Sequence, residues 1–227
     1  MKKLAVAALA ALSFAASAQS LPPPQDVLNL SASGTIEVTE DLVTISLSTT
    51  KMGRDATLVQ SQLKAALDAA LSEARKSSQP GQMDLRTGGF SIGPRYTNTG
   101  PDGWQGTAEL VLEGRDFTRI ATVAGRLGTM TVSGVSFGLS RDTRAKVESD
   151  AQKIAIERFR AKAAELARGF GFSGYSLREV SVTSNGAGMP RPYAMAASAM
   201  RAEAGPVPVE AGKSAVTVTV SGSVQLK

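Results

Sequence analysis

The chain has 227 residues, of which 42% are hydrophobic, and it carries a formal net charge of +5 with neither cysteine nor histidine. This composition excludes disulfides, thiol nucleophiles and the imidazole groups that most often serve as general bases or transition-metal ligands. The charge falls to +3 once the lysines at positions 2 and 3 leave with the leader described next. The remaining cations are spread among acids, so we do not expect nucleic-acid binding.

The first residues have the pattern of an export signal. Two lysines precede an apolar run from Leu4 to Ala16, and the small residues Ala-Ser-Ala that end at Ala18 suit signal peptidase. We expect cleavage after Ala18, so that 1–18 is a signal peptide and 19–27 a proline-rich tether. No later stretch approaches the ~20 apolar residues of a membrane-spanning helix, so the mature protein is expected to be soluble.

Two strands and a helix are predicted next. Apolar and polar residues alternate from Leu30 to Val38 and from Val43 to Leu47, on either side of a turn at Thr39 to Asp41. We interpret the two strands as a hairpin. Residues Arg54 to Lys76 then have apolar positions at helical spacing, which predicts the first long helix.

A second pair of strands is predicted at Asp84 to Arg95 and Gly106 to Glu113, joined by a loop at Tyr96 to Gln105. Adjacent glycines at 88 and 89 indicate a bulge in the first of them. The single tryptophan, Trp104, falls in the predicted loop. It is a candidate anchor for a partner, because aromatic residues are enriched in interface hot spots; alternatively it folds back over the sheet edge.

A short helix at Phe117 to Leu127 and a strand at Met130 to Leu139 lead to a second long helix at Arg141 to Gly171. Either Ser140 or Asp142 can cap that helix. Its apolar stripe is formed by Val147, Ala151, Ala155, Phe159, Ala163, Leu166 and Phe170. Because the stripe is rich in alanine, we expect the helix to lie close against a sheet.

Two last strands are predicted at Tyr175 to Ser184 and Ala215 to Leu226, separated by a long loop at 185–213 that is rich in Met, Ala and Pro. Loops of this length in a compact domain are usually functional or disordered, although the centre of this one has the composition of a short helix. Its candidate interaction residues are Met189, Tyr193, Met195 and Met200. They form either an adaptable docking surface or a loop that covers the core of its own domain.

Taken together, the elements predict a single α+β domain at 28–227. We expect an antiparallel sheet with two long helices on one face, built from two strand-helix-strand-strand pseudo-repeats at 43–113 and 130–226.

The residues from Val132 to Ala167, the loop that ends Val207-Pro-Val209-Glu210-Ala-Gly212 and the Val-Thr-rich last strand agree in order with a known family. The chain resembles the SIMPL-domain family of exported bacterial proteins, which includes the periplasmic immunogenic proteins. The resemblance implies an α+β domain in the periplasm or associated with the outer membrane, a part in stress tolerance, and frequent self-association. It brings no catalytic residues to this chain.

The leading hypothesis is a non-enzymatic periplasmic protein that acts through protein interaction or self-assembly in envelope or oxidative stress tolerance. We assign no catalytic, cofactor-binding or metal-binding residue, and we expect a homo-oligomer or an envelope protein as partner. The alternative is a carboxylate-based hydrolase or binding protein for a cell-envelope carbohydrate or peptide, which would place two acids in one cleft with perturbed pKa values. We also expect the long loop, with an edge strand, to mediate homo-oligomerisation.

Overall fold

The computed structural model describes residues 25–98, 100–185 and 209–227, which hold seven strands and three helices. The strands are β1 (Val27–Thr39), β2 (Leu42–Gly53), β3 (Asp84–Thr97), β4 (Gly100–Gly114), β5 (Thr131–Gly138), β6 (Tyr175–Asn185) and β7 (Lys213–Leu226). The helices are α1 (Ala56–Arg75), α2 (Phe117–Arg126) and α3 (Arg141–Gly169). The α+β class with antiparallel strands is confirmed.

The strands form two antiparallel sheets, not the single sheet predicted from the sequence. One has the order β3-β4-β2-β5 and the other the order β1-β7-β6. Helices α1 and α2 pack on the first sheet and α3 packs on the second, so the molecule has a four-stranded half and a three-stranded half. The two long helices therefore cover different sheets.

The predicted hairpin of the first two strands is wrong. Strand β1 pairs with β7 along its whole length, whereas β2 lies between β4 and β5 in the other sheet. Between them the chain crosses from one sheet to the other: the Glu40 N–H donates to the Gly212 carbonyl, and the Asp41 N–H donates to the Gly138 carbonyl, both at 3.0 Å. Alternation identifies the buried face of a strand but not its partner.

The predicted repeats also need correction. In the four-stranded half, β2, α1, β3 and β4 form a unit in which β4 lies between the parallel strands β2 and β3. In the three-stranded half, β7 lies in the same way between β1 and β6, with α3 as the helix. The first strand of the second unit is thus β1 and not β5, which instead extends the other sheet.

The core of the four-stranded half is closed. Asp55 caps α1 and Asp116 caps α2, each accepting a hydrogen bond from a backbone N–H three residues on. Both helices pack on one face of β2 and β4, whose residues on that side are fully buried. These residues are Val43, Ile45, Leu47, Ala108, Leu110 and Leu112.

In the three-stranded half, α3 lies very close to β1. A side chain at Gly34 would meet the carbonyl oxygen of Ala151 and come within 2.8 Å of the Ala155 nitrogen, so only glycine fits there. Ser140 is the N-cap, as one of the two predicted candidates. The buried stripe ends at Ala167 and not at Phe170, which is 64% exposed because the helix stops at Gly169.

Candidate interaction site on strand β6

Trp104 lies in a strand and not in the predicted loop, because β3 runs on to Thr97 and β4 begins at Gly100. It pairs with Gly53 on β2 and with Pro94 on β3, and it is 36% exposed. The bulge predicted at 88 and 89 is confirmed by a shift of register between β3 and β4 at that point. Trp104 is therefore a half-exposed residue where the hairpin of β3 and β4 extends past the end of β2.

The other predicted interaction residues, Met189, Tyr193, Met195 and Met200, lie outside the described residues. The described chain stops at Asn185, the last residue of β6, and resumes at Val209 shortly before β7. Val209 packs against the core of the four-stranded half.

Three large apolar side chains on β6 are exposed: Leu177 is 57% exposed, Val180 43% and Val182 46%. We call these three residues the β6 strip. The opposite residues on β7 are, in the same order, Val224, Gly222 and Val220. Directly opposed residues of an antiparallel pair share one face of the sheet, and the two valines of β7 are buried under α3. The β6 strip therefore lies on the helix side of the sheet.

The strip is exposed because α3 lies over β1 and β7 and reaches β6 only at its margin. The Ser184 hydroxyl donates to the Glu148 carboxylate, and the Tyr175 hydroxyl donates to the Arg160 carbonyl at 3.3 Å. Ile156, which lies between Glu148 and Arg160 in the chain, is 37% exposed.

The free edge of β6 differs from that of β1, the other outer strand of its sheet. On β1, Arg158 donates to the Ser33 carbonyl at 2.8 Å and Lys162 donates to the Ser31 carbonyl at 3.2 Å, so side chains of α3 occupy backbone acceptors. On β6, the residues from Val180 to Asn185 carry no charge and include no proline. Charged side chains, prolines and bulges are the usual protection of edge strands.

The outer strands of the four-stranded sheet are better protected than β6. Strand β3 is irregular at two places, contains Pro94, and has its Gly89 N–H bound to the Glu109 carboxylate at 3.1 Å. Strand β5 is short, and its pairing with β2 shifts register between Ser46 and Leu47. Strand β6 has such protection only in its first half, where Arg178 and Glu179 accompany a register shift against β7, and its second half from Val180 to Asn185 is uncharged and pairs without a shift.

A polar cluster joins the two halves, and the sequence reasoning missed it. Asp41 accepts hydrogen bonds of 2.7 Å from the Ser140 N–H, the Ser140 hydroxyl and the Thr143 hydroxyl. Arg115 lies 3.4 Å from the Asp41 carboxylate and 3.6 Å from that of Asp142. Burial by itself would raise the pKa of Asp41, but the hydrogen bonds from Ser140 and Thr143 and the charge of Arg115 lower it overall.

A cleft of about 340 Å³ lies beside this cluster and is lined by three carboxylates, those of Asp84, Glu113 and Asp142. The predicted hydrolase alternative would need two such acids with perturbed pKa values. Asp84 accepts from the Gly81 N–H at 3.0 Å and Glu113 accepts from the Thr44 hydroxyl at 3.1 Å, while Asp142 faces Arg115. A general acid needs a raised pKa, whereas the nearby Asp41 is held in its charged form. Each of the three carboxylates that line the cleft thus already contacts a donor or a cation of the same domain.

Within the described ranges, no group of three or more acidic side chains is placed to hold a metal ion. None of the helices in those ranges is long and apolar enough to cross a membrane.

The model of the SIMPL family, described as a protein of unknown function (DUF541), matches residues 28–224. The chain belongs to the SIMPL family. A search of curated proteins finds no match. The matched region runs from β1 into β7. It includes both halves, the polar cluster around Asp41 and the β6 strip. The resemblance seen in the sequence is confirmed.

Proposed function

We propose that this SIMPL domain is a non-enzymatic protein of the bacterial periplasm that acts by self-association, and that β6 is the contact. The observation that carries the proposal is the edge of β6, which is regular and uncharged over Val180 to Asn185 and is flanked by the exposed β6 strip. Such an edge is a template for pairing with a strand of another chain.

The simplest arrangement pairs β6 with β6 of a second copy about a twofold axis. Antiparallel pairing of identical strands is self-complementary and closes at two subunits, and it would join two three-stranded sheets into one of six strands. Burying the rest of a half-exposed valine or leucine contributes about 1 kcal/mol, and each new hydrogen bond contributes about 1 kcal/mol. These gains are of the same order as the ~4 to 15 kcal/mol lost in association, so the dimer is expected to be weak and reversible at micromolar concentration.

Light scattering on the mature chain at micromolar concentration tests this contact. The double variant Ser181→Lys/Thr183→Lys places two charges on the exposed β6 edge and should reduce the mass from that of a dimer to that of a monomer. The matched control Ser33→Lys/Thr35→Lys places the same charges on the edge of β1, where Arg158 and Lys162 already occupy the backbone, and should leave the mass unchanged. A monomeric wild-type chain, or a β6 variant that remains dimeric, would overturn the proposal.

The proposed place of action is the periplasm, with a role in envelope or oxidative stress tolerance. Support comes from the predicted signal peptide at 1–18 and from the resemblance of the chain to a family of exported bacterial proteins. N-terminal sequencing of the protein from the periplasmic fraction should begin at Gln19. Carbonate extraction should release any copies that sediment with the outer membrane, and a strain without the protein should be more sensitive to oxidant.

A further inference from the structure

The geometry points to one register for the pairing of β6 with β6 of a second copy, with Ser181 on the twofold axis. In this arrangement, the Ser181 register, Ser181 lies opposite its own copy and Val180 lies opposite Val182 of the partner subunit. Glu179 then lies opposite Thr183 of the partner subunit. The Ser181 register rests on the self-association proposed above, of which it is one specific form.

A twofold axis limits the registers that are possible. Antiparallel strands related by such an axis keep the same face of the sheet on the same side, because the axis is perpendicular to the sheet. Directly opposed residues share a face and successive residues alternate between faces, so a residue is opposed by one an even number of positions away. The axis therefore passes beside a single residue of β6, and each possible register is defined by that residue.

The backbone groups at the free edge of β6 belong to the valines of the β6 strip. The Ser33 carbonyl on β1 accepts from Arg158 at 2.8 Å, so the backbone groups of Ser33 point away from β7. Ser33 pairs with Thr219, whose backbone groups must then point toward β6, where Thr219 pairs with Thr183. Because these directions alternate along a strand, the backbone groups of the valines one and three residues before Thr183 point to the free edge.

The Ser181 register uses these free groups and pairs the valines with each other. Val180 and Val182 of each copy form hydrogen-bonded pairs with the partner on either side of the axis. Their four side chains meet on the helix side of the sheet, where Val180 is 43% and Val182 46% exposed in the monomer. Cross-strand pairs of β-branched residues stabilise a sheet. An axis at Val182 would instead place Val180 opposite Ser184 of the partner subunit and leave a single valine pair.

Glu179 disfavours the registers on the other side of Ser181. An axis at Glu179 would place two carboxylates directly opposite each other, and an axis at Val180 would leave them diagonal neighbours ~7 to 8 Å apart. Those registers would also bring the irregularity between Leu177 and Glu179 of both copies into the centre of the contact. In the Ser181 register the two carboxylates are about 14 Å apart, and each faces an uncharged threonine.

The position of α3 leaves room for this dimer. The helix packs on β1 and β7. Neighbouring strands are about 4.8 Å apart, so the two copies of α3 would lie about 19 Å from each other across the pair of β6 strands. Helices in contact approach to about 8 to 10 Å. The two helices therefore do not collide.

Single cysteines test the register, since the chain has none of its own. Ser181→Cys places two thiols directly opposite each other in a pair that shares no backbone hydrogen bonds, where side chains are closest. Thr183→Cys is the matched control, because it lies on the same face two residues along and its two thiols would be about 14 Å apart. Under mild oxidation of the mature chain at micromolar concentration, Ser181→Cys should form a disulfide-linked dimer about tenfold faster than Thr183→Cys.

Light scattering on the wild-type chain distinguishes failure of the register from failure of self-association. A wild-type dimer with equal rates for the two cysteine variants, or with a faster rate for Thr183→Cys, would overturn the Ser181 register and leave self-association in place. A monomeric wild-type chain in which neither variant cross-links would overturn both.

An exchange of charges gives a second test that needs no disulfide. Thr183→Glu places a carboxylate opposite Glu179 of the partner subunit twice in each dimer and should raise the Kd of the dimer about fivefold. Adding Glu179→Lys converts both contacts into attractive pairs and should return the Kd to the wild-type value or below it. If the double variant dimerised no better than Thr183→Glu alone, the two positions would not be opposed and the Ser181 register would be wrong.

Discussion

The two halves of the molecule have the same arrangement of strand, helix, strand and strand, but they differ in how completely they are covered. In the four-stranded half, two helices pack on one sheet and the apolar side chains of β2 and β4 that face them are fully buried. In the three-stranded half, the single helix α3 covers β1 and β7, and the apolar side chains of β6 remain about half exposed.

The difference assigns separate roles to the halves. A closed core contributes stability, whereas an apolar strip beside an unprotected edge adds little stability to the monomer and is suited to binding. In the described ranges the halves share no large packed interface; they are linked by two chain crossings, by the Asp41 cluster and by the packing of Val209 against the core of the four-stranded half. Changes in one half should therefore have limited effects on the other.

Truncating the same residue type in each half should give the largest contrast. Leu110→Ala removes a fully buried side chain beneath α1 and α2 and should reduce the free energy of unfolding by about 3 kcal/mol, through lost burial and a residual cavity. Leu177→Ala removes a side chain that is 57% exposed and should reduce it by less than about 1 kcal/mol. Urea unfolding of both variants measures the difference. Similar losses would mean that the β6 strip belongs to the stabilising core.

The helices were predictable because their signals are local. The second long helix was expected at Arg141 to Gly171 and is found at Arg141–Gly169, with Ser140 as its cap. The first was expected at Arg54 to Lys76 and is found at Ala56–Arg75. Apolar spacing, a capping side chain and a terminal glycine all lie within a few residues of the boundary that they define.

The pairing of strands was not predictable from the same kind of signal. Strand β1 alternates as clearly as β2 does, yet its partner β7 lies at the other end of the chain. One warning was present, since the turn at Thr39 to Asp41 lacks the Asn-Gly or Asp-Gly pair that tight hairpins favour. The bond between Asp41 and Ser140 spans 99 positions and follows from the crossing of the chain between the sheets.

The candidate site was predictable in part. The strand at Tyr175 to Ser184 was expected and is found at Tyr175–Asn185, but the exposure of its apolar residues was not predicted. Their exposure depends on how far α3 extends across the sheet, which is set by the packing of Gly34 against Ala151 and Ala155 and not by β6 itself. The position of a helix on a sheet is a tertiary property that the pattern of one strand does not contain.

Disrupting the close contact between α3 and β1 should have the next largest effect on the free energy of unfolding. Gly34→Ala would bring a methyl group against the backbone of α3 at Ala151 and Ala155, where no flexible side chain can move aside. Displacement of the helix should reduce the free energy of unfolding by about 1 to 3 kcal/mol. It should also alter amide hydrogen exchange along α3 and β6 while leaving α1 and α2 unchanged.

Gly134→Ala is the matched control, because a side chain at Gly134 on β5 has nothing within 4 Å. It should change the free energy of unfolding by less than about 0.5 kcal/mol. If Gly34→Ala were equally mild, α3 would be free to shift on its sheet, and the exposure of the β6 strip would not be fixed by that contact.

Weakening the polar cluster that links the halves should have the smallest effect on the free energy of unfolding, and this effect should depend on pH. The pKa of Asp41 is lowered in the folded protein, so its contribution to stability is present above the unfolded pKa and is lost as pH falls through the folded value. The other charged groups of the cluster are Arg115 and Asp142, and Glu40 is the neighbour of Asp41 in the chain. Asp41→Asn should reduce the free energy of unfolding at pH 7 by about 1 to 2 kcal/mol, through weaker hydrogen bonds from Ser140 and Thr143.

The pH profile separates this explanation from a general loss of packing. The difference between wild type and Asp41→Asn should be constant above about pH 5 and should shrink toward zero as the wild-type carboxylate becomes protonated at acid pH. Asp150→Asn is the control, because the pKa of Asp150 is also lowered, by the hydrogen bond and charge of Lys153, but on the exposed surface of α3. That change should leave the urea midpoint unaltered at pH 7. A loss in Asp41→Asn that persisted unchanged at acid pH would show that the contact between the halves depends on the shape of the aspartate side chain and not on its charge.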